Sequence, residues 1–317
     1  MKRLPFFLAM ESCPRRCVYC HQGEITGVWS PPSPAGVGAE ISRLSERAEI
    51  CFFGGSFTCL PVPRQKEYLD RVLKAPSGSR VRLSTHPDCI NPSILEFLSR
   101  YPVSMIELGI SSLDDRVLSL CNRGYRGEKA LAALEMVLDG GFHGGAQMMI
   151  GLPGQTGESS FSDLRRIAAM ARGRPVTLRI YPCLVLRGTA LENMLKEDAY
   201  SPLSVEEAAL WSARLLALSR RLGLPVQRVG LHESDTLGAS VVAGPYHPAF
   251  GELARAAELA LSLAAKSKED PWSVPRNSIS LVTGHDRYGL RVLAGETGLA
   301  LDEAAERIHF TDRQDLI

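Results

Sequence analysis

The sequence has no second C-x-x-C pair to set beside Cys17 and Cys20, which argues against a closed zinc site built from two separated pairs. Its eight cysteines are spread through 317 residues, too thinly for a disulfide scaffold. Charge of one sign is not in excess either. Lys plus Arg is 36 against 35 for Asp plus Glu, so no global field advertises nucleic acid or a membrane surface, and such a partner must be met by a local patch. Long apolar runs are missing. The first ten residues begin like an export signal, but the run is short and breaks at Glu11, and Leu253–Ala265 is interrupted by Arg255 and Glu258. The expectation is a cytoplasmic protein without membrane contact, its thiols reduced. No internal repeat or low-complexity tract occurs, and a hydrophobic fraction of 45% is enough for a sizeable core.

What is present is concentrated in Glu11–Gln22, ESCPRRCVYCHQ, where Cys13, Cys17 and Cys20 follow a short apolar run in C-x-x-x-C-x-x-C spacing. An iron-sulfur cube has four irons, so three thiolates anchor three of them and leave one iron for a ligand that is not protein. Tyr19, just before the last cysteine, is placed either to pack beside a cofactor or to join the core. His21 either donates toward the cluster or begins the next loop.

Along the chain, short runs rich in β-branched and aromatic residues alternate with segments of helical period, the pattern of parallel βαβ units. Candidate strands are Leu4–Met10, Glu49–Phe53, Arg80–Ser84, Ser104–Gly109, Ala146–Gly151 and Pro175–Pro182. Six strands in the first 200 residues predict an α/β fold, a partial (β/α)6 TIM-like barrel, with a doubly wound sheet as the alternative. Residues 201–317 form a mainly helical C-terminal extension with a small appendage. It opens with an amphipathic helix over Val205–Leu222, a short segment at Pro225–Val229 that can add an edge strand, and a loop over His232–Pro248 read as a lid or a connector.

Parallel α/β folds place chemistry in loops at the carboxyl ends of strands. The cysteine loop follows the first strand, Gly54, Gly55, Ser56 and Thr58 the second, and Thr85 and His86 the third. Ser111 and Ser112 follow the fourth, Met148 to Gly154 the fifth, and Tyr181 and Arg187 the sixth. All six sets are expected at one mouth.

The cysteine spacing with Tyr19, together with the GG turn, resembles the radical S-adenosylmethionine superfamily. The strings FFGGSFT, ELGISSLDDRVL, NRGY, MMIGLPGQT and RIYPCLVLRGTAL are similar to its Elongator-catalytic-subunit-like branch, and coproporphyrinogen-oxidase-like enzymes share NRG and GLPGQT. The resemblance implies a 4Fe-4S cluster on Cys13, Cys17 and Cys20. It also implies S-adenosylmethionine on the open iron and reductive cleavage to a 5′-deoxyadenosyl radical, with a flavodoxin- or ferredoxin-type electron donor. For the Elongator-like branch it further implies modification of the wobble uridine of transfer RNA. The chain departs from that branch in two ways. It reaches Ile317 without room for an acetyltransferase domain, so carboxymethylation from acetyl-coenzyme A is not expected. It also has Ser111 where the branch usually has glutamine, a shorter group that still hydrogen-bonds.

Within that resemblance, Gly54, Gly55, Ser56, Thr58, Ser111, Ser112 and Arg187 are the expected cofactor-binding residues. Absent side chains at the glycines let carbonyls approach the methionine amino group. Arg187 offers a planar fork to a carboxylate or phosphate. Ser111 and Ser112 can instead cap the helix that follows. His86 and His247 are read as structural, and Cys51, Cys59, Cys89, Cys121 and Cys183 as small buried residues. Arg214, Arg220, Arg221 and Arg228 form a basic cluster suited to RNA phosphates or to a solvated helix face. The competing function is a coproporphyrinogen-oxidase-like enzyme acting on a tetrapyrrole, or a non-catalytic haem or cluster carrier.

Overall fold

A computed structural model of the protein describes residues 1–312 apart from 10, 233, 235 and 268–270. The apolar residues of the strands alternate with polar ones, and this decides which face of the sheet is covered. Val81 and Leu83 of one strand and Ile106, Leu108 and Ile110 of the next are buried under helices, whereas Arg82, Ser84, Glu107 and Gly109 turn to the other side. That second face is the concave interior of an open barrel.

The strands and helices run β1 (Lys2–Phe7), α1 (Gln22–Thr26), α2 (Pro34–Ile41), β2 (Ala48–Phe53), α3 (Val62–Val72), β3 (Arg80–Thr85) and α4 (Pro92–Leu98). Next come β4 (Val103–Ser111), α5 (Asp115–Leu120), α6 (Gly127–Asp139), β5 (His143–Ile150), α7 (Gly157–Ala171) and β6 (Val176–Pro182). The chain continues through β7 (Val185–Leu186), α8 (Ala190–Lys196), α9 (Val205–Arg221), β8 (Val226–Val229), α10 (Leu237–Ser240), β9 (Val241–Ala243) and α11 (Phe250–Lys266). It closes with β10 (Trp272–Pro275), α12 (Ile279–Thr297, interrupted at Gly284–Arg287), α13 (Leu301–Glu306) and β11 (Ile308–Thr311).

Seven strands make one parallel sheet in the order β1-β2-β3-β4-β5-β6-β8, so the partial barrel is as expected, with Val226–Val229 supplying the edge strand. β1 ends earlier than the apolar run suggests, and Met10, the expected end of that strand, lies outside the described residues. The core does not divide at residue 200. Ala208, Ala209 and Leu215 of α9 and Phe250 and Leu253 of α11 join the same cluster as the barrel helices. A second cluster, which includes Leu263, Trp272, Leu290 and Leu293, holds the C-terminal appendage around the parallel pair β10 and β11. No helix among the described residues is long and apolar enough to cross a membrane.

The concave face carries charge where a closed barrel would carry apolar layers. Glu107 Oε2 accepts from Arg82 Nε at 2.7 Å, and Arg179 Nε lies 2.9 Å from Glu107 Oε1, so one carboxylate serves two guanidinium groups. Arg82 also reaches across the barrel to Gln227 on β8. Arg82 and Glu107 are almost completely buried. Removing one member of such a network strands its partners in low dielectric at a cost of about 3–5 kcal/mol. Glu107→Gln is therefore expected to lower the urea midpoint by that equivalent. Near wild-type unfolding in the variant would mean that water enters the floor and screens the two arginines.

Candidate active site

The cysteine loop hangs between two other loops. Val18 N donates to Cys121 O at 3.2 Å, and Asn122 Nδ2 donates to Arg16 O at 2.9 Å, which ties the loop to the turn after α5. On its far side Leu191 N donates to Val18 O at 2.8 Å. The NRGY and RGTAL strings therefore act as two clamps on the cysteines.

Each thiol of the triad has its own polar neighbour. Arg123 Nη1 donates to Cys17 Sγ at 3.0 Å, Gln22 Nε2 donates to Cys20 Sγ at 3.5 Å, and Cys13 Sγ lies 3.5 Å from Ser56 Oγ. Arg123 is buried and braced by Tyr125 Oη at 3.0–3.1 Å and by the carbonyl of Gly109. Burial, with Cys17 and Cys13 nearby, pushes the Cys20 thiol up to about 12; burial also raises Cys13. Iron must therefore displace protons as it binds.

The donor set fits a multi-iron cluster. Among the described residues no three His, Cys, Asp or Glu side chains converge on a point where one ion would sit. Three thiols lining one wall, each with its own polar neighbour, suit a cluster in which every cysteine takes a different iron. The GG turn is a second sign of fit. Gly54 has φ +93°, and a Cβ on Gly55 would lie 2.2 Å from Leu8 O and 2.7 Å from Glu11 O, so the turn can sit against the root of the cysteine loop only without a side chain.

The three cysteines, Gly54, Gly55 and Ser56 line a single cavity of about 540 Å³ that runs down the concave face to Arg179 and Arg228. The other expected cofactor residues lie outside its lining. Thr58 Oγ1 is 2.6 Å from Thr85 Oγ1, Ser111 Oγ is 2.8 Å from Tyr19 Oη, and Ser112 Oγ donates to Asp163 Oδ2 at 2.7 Å. The two serines bind Tyr19 and α7 rather than capping α5, whose cap is Asp114. Arg187 is exposed in the loop before α8. The basic cluster also disperses: Arg220 pairs with Glu258 at 2.8 Å, Arg214 and Arg221 face solvent, and only Arg228 turns into the cavity.

Several site residues escape sequence reasoning. Arg123 lies in the NRGY string and Gln22 closes ESCPRRCVYCHQ, yet neither string by itself marks the side chain that meets a thiol. His86, expected to be structural, lines the cavity. Its Nδ1 accepts from Asp88 N at 3.3 Å, which puts the proton on Nε2, and that atom has no partner among the described residues. Burial beside Arg123 lowers His86 to about 3, so it is a neutral donor. His21 and His247 accept backbone N–H groups, of Glu24 and Ala249. Cys59 and Cys89, expected as separate buried thiols, form a disulfide between the loops after β2 and β3, with Cα atoms 5.1 Å apart. A pairing 30 residues apart leaves no mark in spacing alone. The segment expected as lid or connector is tied down: Ser234 Oγ and Thr236 Oγ1 donate to Ile25 O and Glu24 O at 3.1 and 2.7 Å.

Comparison with known proteins gives this arrangement a family. The profile of the Radical SAM superfamily matches residues 8–165, and that of the Radical_SAM C-terminal domain matches residues 175–260. The tRNA uridine(34) acetyltransferase of Methanocaldococcus infernus is 24% identical over 189 residues, which cover 53% of this chain and 35% of that protein. The chain thus spans about a third of the length of that relative. Among solved structures, the archaeal M. infernus Elp3 aligns with a TM-score of 0.61 at 21% identity, covering 80% of this chain and 61% of that one. Coproporphyrinogen III oxidase from Escherichia coli aligns with a TM-score of 0.55 at 17% identity, over 70% of this chain and 52% of that one. At such identities the two structures speak for the fold. The superfamily's enzymes use a 4Fe-4S cluster and S-adenosylmethionine, which supply a 5′-deoxyadenosyl radical when bound. Two family profiles in tandem, three cysteines on one cavity wall and the open parallel barrel together give one conclusion: the chain belongs to the radical SAM superfamily.

Proposed function

We propose that the enzyme modifies a uridine base in RNA, transfer RNA being the first substrate to test, through radical chemistry begun at Cys13, Cys17 and Cys20. The observation that carries the radical step is the triad itself, each thiol with a separate polar neighbour and all three facing one cavity. The choice of uridine is supported by relatives named as tRNA uridine(34) acetyltransferases. Their acetyl transfer is not proposed for this chain. Gln22 and Arg123 orient the loop, Gly54 and Gly55 leave room for the methionine moiety, and Met149 and Tyr181 line the space left for substrate.

Anaerobically reconstituted protein given dithionite should release 5′-deoxyadenosine, and the Cys17→Ala variant should fall to background. Undiminished release by the variant would remove the triad from the mechanism. For the substrate, a gel-shift series with transfer RNA should show binding that weakens steeply with salt. No binding at low salt would sink the RNA reading while leaving the radical step in place.

A further inference from the structure

The cavity holds positive charge that the cysteine end does not account for. Among its described lining residues are six arginines and no Asp or Glu. Arg15, Arg16 and Arg123 belong to the cysteine loop and its clamp, where the thiolates and cofactor supply negative charge. Arg3, Arg179 and Arg228 lie elsewhere. With Arg82 behind them, four guanidinium groups face two carboxylates among the described residues, Glu49 and Glu107.

The pairing shows where the excess sits. Glu49 Oε2 accepts from Arg3 Nε at 2.8 Å, so that charge is matched. Glu107 is shared by Arg82 and Arg179, which leaves one positive charge over. Arg228 makes no ion pair among the described residues; its Nη1 has only the carbonyl of Leu231, at 3.4 Å. Arg179 and Arg228 are register partners on β6 and β8, and Arg179 Nη1 also donates to Tyr181 Oη at 3.0 Å. Because that phenol oxygen accepts from the arginine, its own proton is free to point into the cavity.

Arg3 and Arg228 stand on β1 and β8, the two edges of the open sheet, and both line the cavity. Arg179 lies two residues before Tyr181 along β6, about 7 Å further from the mouth. Two guanidinium groups without a matching carboxylate among the described residues, in a half-buried wall, are costly unless an anion meets them. A planar fork suits the oxygens of a phosphate.

We infer that this end of the cavity is a phosphate site: Arg179 and Arg228, with the Tyr181 hydroxyl, hold the phosphate of a nucleotide substrate whose base points toward the cysteine loop. The inference rests on reading this cavity as the substrate site. It names a phosphate-bearing substrate, supplied either as a free nucleotide or within an RNA chain.

The test is calorimetric titration of the reconstituted holoprotein at low salt with inorganic phosphate, uridine 5′-monophosphate, uridine and a short uridine-containing RNA. Arg228→Gln and Arg179→Gln should each weaken the phosphate-bearing ligands by about tenfold or more, the size of one charge-assisted contact, and leave uridine unchanged. Arg221→Gln, on the solvent face of α9, is the matched control and should change nothing. Among the described residues Arg228→Gln removes only one weak carbonyl contact, so it should fold as wild type. Dependence on Arg228 for the mononucleotide or for the RNA supports the site and says which source is used. Inorganic phosphate bound through Arg228 with no preference for uridine compounds keeps the site and removes the uridine reading. Uridine binding as tightly as its monophosphate, equal affinity in wild type and Arg228→Gln, or no binding of any phosphate compound overturns the inference.

Discussion

Gly55→Ala is expected to lose most of its iron on anaerobic reconstitution and to unfold at lower temperature than wild type. The added Cβ would meet Leu8 O at 2.2 Å and Glu11 O at 2.7 Å, and both are backbone atoms, so no side-chain rotation relieves the clash. The same stretch is knit together by backbone bonds: Leu8 N donates to Phe53 O at 2.7 Å, Glu11 N to Leu8 O at 3.2 Å, and Ser56 N to Glu11 O at 3.4 Å. Accommodating a methyl group means moving either the exit of β2 or the root of the cysteine loop. Overpacking of this kind costs about 1–3 kcal/mol, and more where the backbone itself must move. Because Cys13 begins the triad two residues after Glu11, a displaced root also separates Cys13 from Ser56. Iron per chain and the visible absorption of the reconstituted protein read the second effect, and thermal unfolding of the apoprotein reads the first. Gly54→Ala makes a useful contrast. Its Cβ would have 3.4 Å to its nearest neighbour, so its cost comes from the φ of +93° rather than from collision, and iron loading should suffer less. Full iron loading by Gly55→Ala would show that the loop root can move without disturbing the thiols.

The GG turn was legible in the sequence as a turn after a strand, and the fold leaves no room for a side chain at Gly55. The barrel was legible for a similar reason: alternation with period two in β3 and β4, and helical period between strands, do not depend on distant contacts. The core's continuation through α9 and α11 was less so, since a change of pattern near residue 200 looks the same whether the next helix starts a new unit or covers the old one. What the sequence could not give were pairings across long separations. Arg123 meets Cys17 from 106 residues away, and Arg82 meets Gln227 from 145. Arg123 lies in the NRGY string and Arg82 within the candidate strand Arg80–Ser84, and neither setting names a distant partner. Ser111, Ser112 and Thr58 occupy expected loop positions yet turn their hydroxyls to Tyr19, Asp163 and Thr85, because a strand end offers a side chain two directions and only packing chooses.

Arg123 carries the other large expected effect, on the energy of the electron that the cysteine loop must accept. Its guanidinium is buried, fixed by Tyr125 and Gly109, and aimed at Cys17 Sγ at 3.0 Å. A positive charge and an N–H donor stabilise the more negative, reduced state of a thiolate-bound cluster, which raises its reduction potential. Arg123→Met keeps an unbranched stem, shorter than arginine's, and removes both. The potential should fall on the order of 50–100 mV, since one charge-assisted bond is worth about 1.5–3 kcal/mol and only part of that differs between oxidation states. Release of 5′-deoxyadenosine with a weak reductant should then slow more than release with dithionite in excess. Arg123→Lys separates charge from geometry: an ammonium keeps the charge but cannot hold Cys17, Tyr125 and the Gly109 carbonyl with one planar fork, so an intermediate potential is expected. Redox titration followed by electron paramagnetic resonance makes the measurement on protein matched for iron content, so a loss of cluster is not mistaken for a shift. An unchanged potential in a fully loaded Arg123→Met protein would reduce Arg123 to a brace between the turn after α5 and the cysteine loop, and would leave Ser56 and Gln22 as the polar neighbours able to tune the triad.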